Sequence, residues 1–197
     1  LLSKSDRYAK EKLAASLENL KALYQNAGYV RFSVDNAVLN ISEDKSSVFI
    51  EVKISEVKKY QCGEENLLGK PTFENNELKE LVTFAPNEKY SQAKLDATTA
   101  ALKSRYGNEG YYLAQIRPVP RINDETKVVD VDYYIDPARP IYVRRINFTG
   151  NIKTQDEVLR REMRQLEGAL ASSDKIQLSR TRLMRTGFFK GVTVDVN

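Results

Sequence analysis

A chain of 197 residues that is 41% hydrophobic and 29% charged, with nine glycines and six prolines, has the makeup of folded globular protein and room for one to three small domains. It contains no histidine and one cysteine, Cys62, which excludes Ser-His and Cys-His catalytic pairs, histidine metal ligands, cysteine-built zinc sites and any intramolecular disulfide. The formal net charge of +4 is unevenly placed: from Arg139 onward there are 12 Lys/Arg against 6 Asp/Glu, and before it 19 against 21.

The first element is a helix in which Leu13, Leu17, Leu20 and Tyr24 fall at i, i+4, i+7 and i+11 on one stripe. Gly28 suits the left-handed position that ends helices. The period then changes from 3.6 to 2: Val30, Phe32 and Val34 alternate with Arg31, Ser33 and Asp35, SEDKSS at 42–47 turns the chain, and Val48, Ile50, Val52 and Ile54 form the returning strand.

A second copy of this pattern lies 82 positions on, with Tyr90 in register with Tyr8. It opens on a strand, YQCGEENLLG. Its later helix carries Leu95, Thr99, Leu102 and Tyr106, Gly110 stops it, and a hairpin runs from Tyr111 to about Arg121, through a turn at NDET, to Val129, Val131, Tyr133 and Ile135. A third copy begins with the strand IYVRRINFTGN. A helix follows with a capping box of Thr154 and Glu157, a buried face of Val158, Leu159, Met163 and Leu166, and a stop at Gly168. A further helix from SSD at 172–174 to Gly187 and a strand through Val192, Val194 and Val196 complete it.

The repeat unit is thus strand, helix, helix, strand, strand. Only the middle copy is complete, and the chain reads as a fragment divided at 1–56, 57–138 and 139–197. The linkers at Glu56 to Lys59 and Asp136 to Pro140 are short. No run approaches the 18 or so apolar residues of a membrane span, and LLSKSDRYAK has no signal-peptide core.

Tandem βααββ units with Tyr-x3-Gly-Tyr closing the second helix and Phe-x-Gly-Asn closing the first strand resemble the POTRA domains of the Omp85 superfamily. YVRRINFTGN, VLRREMRQLEG and RTGFFKGVTVD carry the resemblance most specifically, and the order matches the third (partial), fourth and fifth (partial) domains of such an arm. The usual Glu-Gly turn after the last strand is replaced by Glu56-Val57 and Pro137-Ala138. The resemblance implies an α+β fold, each unit a three-stranded mixed sheet covered on one face by two antiparallel helices. It also implies a periplasmic arm of a Gram-negative outer-membrane protein that is not an enzyme, holds no metal or cofactor, binds unfolded outer-membrane proteins and docks partner lipoproteins.

Two surfaces are candidates for that work. A sheet edge with unpaired N–H and C=O groups can accept a client strand. In the middle copy the edge strand carries Pro118 and Pro120, which lack N–H groups on one side. The first copy has no such block, so the expected client edge comprises Arg31, Phe32, Ser33, Val34, Asp35, Asn36, Ala37 and Val38. The alternative is a solvated edge guarded by Arg31 and Asp35. The second surface is the third copy's first helix, where Arg160, Arg164 and Glu167 at i, i+4 and i+7 form a stripe, which the resemblance assigns to a partner lipoprotein. The alternative is a charge-laced solvated face with Glu157 paired to Arg160 or Arg161.

Other polar and aromatic residues read as structural. Tyr24, Tyr29, Tyr106 and Tyr111 suit helix-end packing, Cys62 lies in a strand, and Asp130 and Asp132 fall on the solvent side of theirs. Basic αβ repeats also raise nucleic-acid binding, but neither a GXXG loop nor the paired aromatic motifs of RNA-binding sheets are present. Lys/Arg of the last third would gain about 1 kcal/mol each near anionic lipid head groups.

Overall fold

The structure, a computed structural model, describes residues 4–41, 48–55, 58–85 and 87–195. The expected turn at 42–47, the Glu56-Val57 pair and Val196 lie outside these residues.

In the first repeat a helix, α1 (Lys4–Asn26), precedes an antiparallel hairpin of β1 (Val34–Ile41) and β2 (Val48–Ile54). Leu13, Leu17, Leu20 and Tyr24 are the half-buried face of α1, as the stripe predicts. The helix ends in a Schellman motif: Tyr29 N donates to Tyr24 O and Gly28 N to Gln25 O, with Gly28 at φ 96°. The hydrophobic contact that accompanies this motif is between Tyr24 and Tyr29, ring centroids 5.3 Å apart. Tyr-x3-Gly-Tyr is therefore a helix terminator, with one tyrosine on each side of the left-handed glycine. The second copy repeats it, with Tyr111 N on Tyr106 O and the two rings 6.0 Å apart.

The strands begin later than alternation suggests. After Gly28 a further turn closes through Phe32 N to Tyr29 O, and after Gly110 through Ala114 N to Tyr111 O, so β1 starts at Val34 and β4 (Gln115–Asn123) at Gln115. Phe32 faces inward and stacks on Tyr24 at 4.1 Å.

The middle repeat is complete: β3 (Gln61–Gly69), α2 (Asn75–Lys79), α3 (Gln92–Asn108), β4 and β5 (Val128–Asp136), with strand order β3-β5-β4. Gln61 N bonds to Lys127 O at one end of β3 and Lys70 N to Ile135 O at the other, so β3 and β5 run parallel. The β4–β5 hairpin makes the sheet mixed. Val129, Val131, Tyr133 and Ile135 form the buried face of β5, as predicted. On α3 the buried residues are Leu95, Thr98, Leu102, Tyr106 and Gly107, so Thr98 rather than Thr99 completes the stripe. Asp132 is also buried, because Arg121 reaches across from β4 to bind it at 2.8 Å, correcting its expected solvent position. Cys62 points inward from β3, and burial pushes its thiol up to about 12, which removes it as a nucleophile.

The third repeat has its helices, α4 (Asp156–Glu162) and α5 (Ser173–Arg185), but no ladder among the described residues: Ile141–Gly150 holds a single bridge, Tyr142 with Leu170, and 188–195 holds none. The middle repeat gives the reason. Both outer strands there have β5 as their strand neighbour, and no described segment plays that part in the third copy. Ile50 and Ile54 of β2 are 51% and 46% exposed, whereas Val131 and Ile135 of β5 are covered.

Two compact units divide the chain: residues 1–65, 83–97 and 120–132 form one, and residues 66–82, 98–119 and 133–197 the other. The division passes through the middle repeat, so each junction between successive repeats lies inside a unit.

Candidate client edge and partner-docking surface

The client edge contracts when built up from its residues. Arg31 lies in the turn before β1, where its guanidinium grips Asp124 of the β4–β5 turn through two hydrogen bonds of 2.6 and 2.9 Å. Tyr60 donates to the same carboxylate. Arg31 first, then Tyr60, holds Asp124 below the usual carboxylate range. Arg31 and the buried Phe32 are therefore not edge residues. Asp35 sits at an irregularity between Val34 and Asn36, and its carboxylate accepts from the Ser33 hydroxyl at 3.1 Å and the Ser55 hydroxyl at 2.7 Å. What is left for strand addition is Asn36, Ala37 and Val38, with the backbone to Ile41. They form a regular stretch whose only strand neighbour among the described residues is β2. The partner of Arg31 was invisible in the sequence, since nothing in NDET distinguishes Asp124 from an ordinary turn aspartate.

The expected docking helix is shorter than its sequence pattern. α4 ends at Glu162, Met163 is extended, and Arg164 and Glu167 lie in the following loop rather than on a helical stripe. The helix cap residue is Gln155, with no side-chain cap bond, so the Thr154–Glu157 box does not form. Of the apolar face, Leu159 is buried, Met163 is intermediate, and Val158 and Leu166 are exposed. The loop competes successfully with the helix because Ser179 and Gln165 satisfy its backbone. Ser179 Oγ accepts from Arg164 N and Gln165 N, while the buried Gln165 bonds Leu166 O, Leu170 O and Ser172 N.

Arg160 and Glu167 do come together, around the backbone of Ile146. Glu167 accepts from Ile146 N at 2.7 Å, Arg160 donates to Ile146 O at 3.1 Å, and the two side chains meet at 3.2 Å. The pair mimics the bonds of a neighbouring strand. Arg164 stays exposed, its guanidinium on the carbonyls of Arg161 and Met163. Elsewhere in the third repeat Arg144, Lys153, Arg161, Arg185 and Lys190 are exposed and carry no ion pair among the described residues.

The Ile146 amide first, and Arg160 second, lower the Glu167 pKa. A carboxylate with a depressed folded pKa contributes its stabilisation above the ordinary value and loses it as pH falls through the lowered one. The Ile146 amide resonance is therefore expected to hold steady down to the ordinary carboxylate range and to move only below it. A titration midpoint at or above the ordinary value would rule out this clamp.

The family model for POTRA, described as "Surface antigen variable number repeat", matches residues 1–57, 60–138 and 141–197. The chain belongs to the POTRA family. The outer membrane protein assembly factor BamA of Neisseria meningitidis is 34% identical over 195 residues, covering 98% of this chain and 24% of the relative. BamA of Buchnera aphidicola is 32% identical over 194 residues, 98% of this chain and 31% of the relative. The chain thus spans about a quarter to a third of the length of these relatives. The POTRA3-5 crystal structure of Haemophilus influenzae BamA superposes with a TM-score of 0.84 at 27% identity, over 92% of this chain and 72% of that one. BamA of Haemophilus ducreyi lacking POTRA domains 1-3 gives 0.62 at 36% identity, over 69% and 26%. These POTRA repeats match that arm in order, as their motifs imply. Among the described residues no helix is long and apolar enough to cross a membrane.

Proposed function

We propose that the chain is part of the periplasmic POTRA arm of a BamA-like outer-membrane protein assembly factor. The observation that carries this reading is likeness to BamA along nearly the whole chain, across three repeats in order. In this role it is a scaffold and chaperone, not an enzyme: unfolded outer-membrane proteins add a strand to β1 at Asn36–Val38, where main-chain bonds give affinity without demanding one sequence. β4 is the weaker acceptor, because Pro118 and Pro120 offer no N–H. Partner lipoproteins, a BamD-like one at the third repeat, dock on the exposed cations around α4, with Arg164 as the available contact and the Arg160–Glu167 clamp fixing the surface that presents it.

The test is an NMR titration of the labelled chain with an extended peptide taken from an outer-membrane β-strand. Amide shifts concentrated in 36–41, with 115–121 silent, are the expected result. Shifts at β4, or at neither strand, would overturn edge pairing at β1.

A further inference from the structure

The two Asn-x-Gly-Tyr corners, Asn26-Ala27-Gly28-Tyr29 and Asn108-Glu109-Gly110-Tyr111, each make the same set of bonds to the repeat that follows. Asn26 Oδ1 accepts from Ala93 N at 2.8 Å and from the Ser91 hydroxyl at 3.4 Å; Asn108 Oδ1 accepts from Asp174 N at 2.8 Å and from the Ser172 hydroxyl at 3.4 Å. Gly28 O receives Tyr60 N, and Tyr60 O receives Tyr90 N. Gly110 O receives Ile141 N, and Ile141 O receives Ala171 N, with all four bonds 2.9–3.0 Å long.

Helix chemistry explains the asparagine. The first N–H groups of any helix lack partners inside it. Ser172, the residue before α5, caps Lys175 N, and Ser91 holds the same place before α3. The next orphan, Ala93 N in α3 and Asp174 N in α5, is capped from outside by the asparagine at the end of the preceding repeat's helix. The glycine is needed twice over. Its φ is left-handed at both corners, and a Cβ would stand 3.2 Å from Tyr60 O at Gly28 and 2.6 Å from the Leu170 side chain at Gly110.

We infer that the Asn-x-Gly-Tyr corner is a docking site for a following POTRA repeat, one that offers a serine-capped helix N-terminus to the asparagine and a strand-entry amide to the glycine carbonyl. The third repeat's corner is the contrast. It reads Arg185-Thr186-Gly187-Phe188, with arginine, a side chain that has donors and no acceptor, in the asparagine's place. Arg185 cannot accept the helix N-terminal bonds that Asn26 and Asn108 accept.

The two sites differ in one respect that makes the inference testable. Asn108 Nδ2 also donates to the Asp174 carboxylate at 2.6 Å, whereas Ala93 stands at the matching position of the first junction. A carboxylate can replace the acceptor at 26 but would oppose Asp174 at 108. Amide hydrogen exchange at Ala93 and Asp174, with residual dipolar couplings across each junction, reads both effects. Asn26→Ala should speed exchange at Ala93 about tenfold and Asn26→Asp should leave it within about twofold, these being the expected consequences of losing or keeping a cap. Asn108→Asp should speed exchange at Asp174 as much as Asn108→Ala does, and the couplings of α1 and of residues 83–97 should cease to fit one alignment tensor in Asn26→Ala. Unchanged exchange in both alanine variants, couplings that still fit one tensor in Asn26→Ala, or an Asn108→Asp that behaves like Asn26→Asp, would overturn the docking role.

Discussion

Gly69→Ala is expected to destabilise the middle repeat by about 2–4 kcal/mol, the sum of backbone strain and a lost ladder bond. Gly69 ends β3 at φ 99°, which no L-residue adopts comfortably, and a Cβ there would lie 2.4 Å from Ile135 O and 3.1 Å from Ile135 N. Both contacts are backbone of the central strand, so no rotamer change relieves them. Ile135 O is moreover the acceptor for Lys70 N, and moving β3 away breaks that bond. Gly168 is the control. It too has a left-handed φ, 78°, but a Cβ would meet nothing within 4 Å, so Gly168→Ala carries strain alone. Denaturant midpoints of the two variants against the parent measure both losses. Equal losses for the two variants would show that β3 and β5 can part without penalty at this end.

Tyr106→Ala should cost about 3–5 kcal/mol, as for other large aromatic deletions from a core. Tyr106 is fully buried, its ring sits 4.8 Å from Phe73 and 6.0 Å from Tyr111, and its hydroxyl accepts Thr72 N at 3.1 Å. It is also the inner aromatic of the Schellman contact, so its loss weakens the helix stop and the packing together. Tyr106→Phe isolates the hydroxyl: Thr72 N loses its partner, for about 1 kcal/mol. Denaturant midpoints of the two variants against the parent measure both. A Tyr106→Ala loss no larger than that of Tyr106→Phe would mean the ring contributes nothing.

The features legible in the sequence were those with local causes. The helical stripe of α1, the glycine stops at Gly28 and Gly110 and the alternation of β5 are written in residue type and spacing, and each appears where the pattern places it. The misreadings arose where a distant partner decides. IYVRRINFTGN has a strand's alternation, yet a strand exists only with a ladder partner, and the partner's place in the third repeat is empty of described chain. VLRREMRQLEG has helical periodicity beyond Glu162, but Ser179 and Gln165 offer the backbone better bonds than another helical turn. At the candidate edge, alternation through Phe32 concealed the extra turn that follows the Schellman glycine, and with it the pairing of Arg31 to Asp124. Asn26 and Asn108 stand at equivalent places in the two copies. Their targets, 67 and 66 residues away, were not legible.

The strand order of the middle repeat also dictates when in its life the chain can fold. β5, the last strand written, is the one on which both others depend, and the bond from Glu64 N to the Asp130 carboxylate closes a loop of 66 residues. Parallel pairing across so long a separation is slow, because loop-closure entropy must be overcome before the contacts reward it. A chain threaded through a membrane or leaving a ribosome from its N-terminus therefore carries each repeat open until its final strand emerges, exposing the unpaired N–H and C=O groups of the earlier strands. Keeping those segments from pairing with other chains during that interval is a burden that falls on chaperones or on the speed of emergence, and it grows with every repeat added.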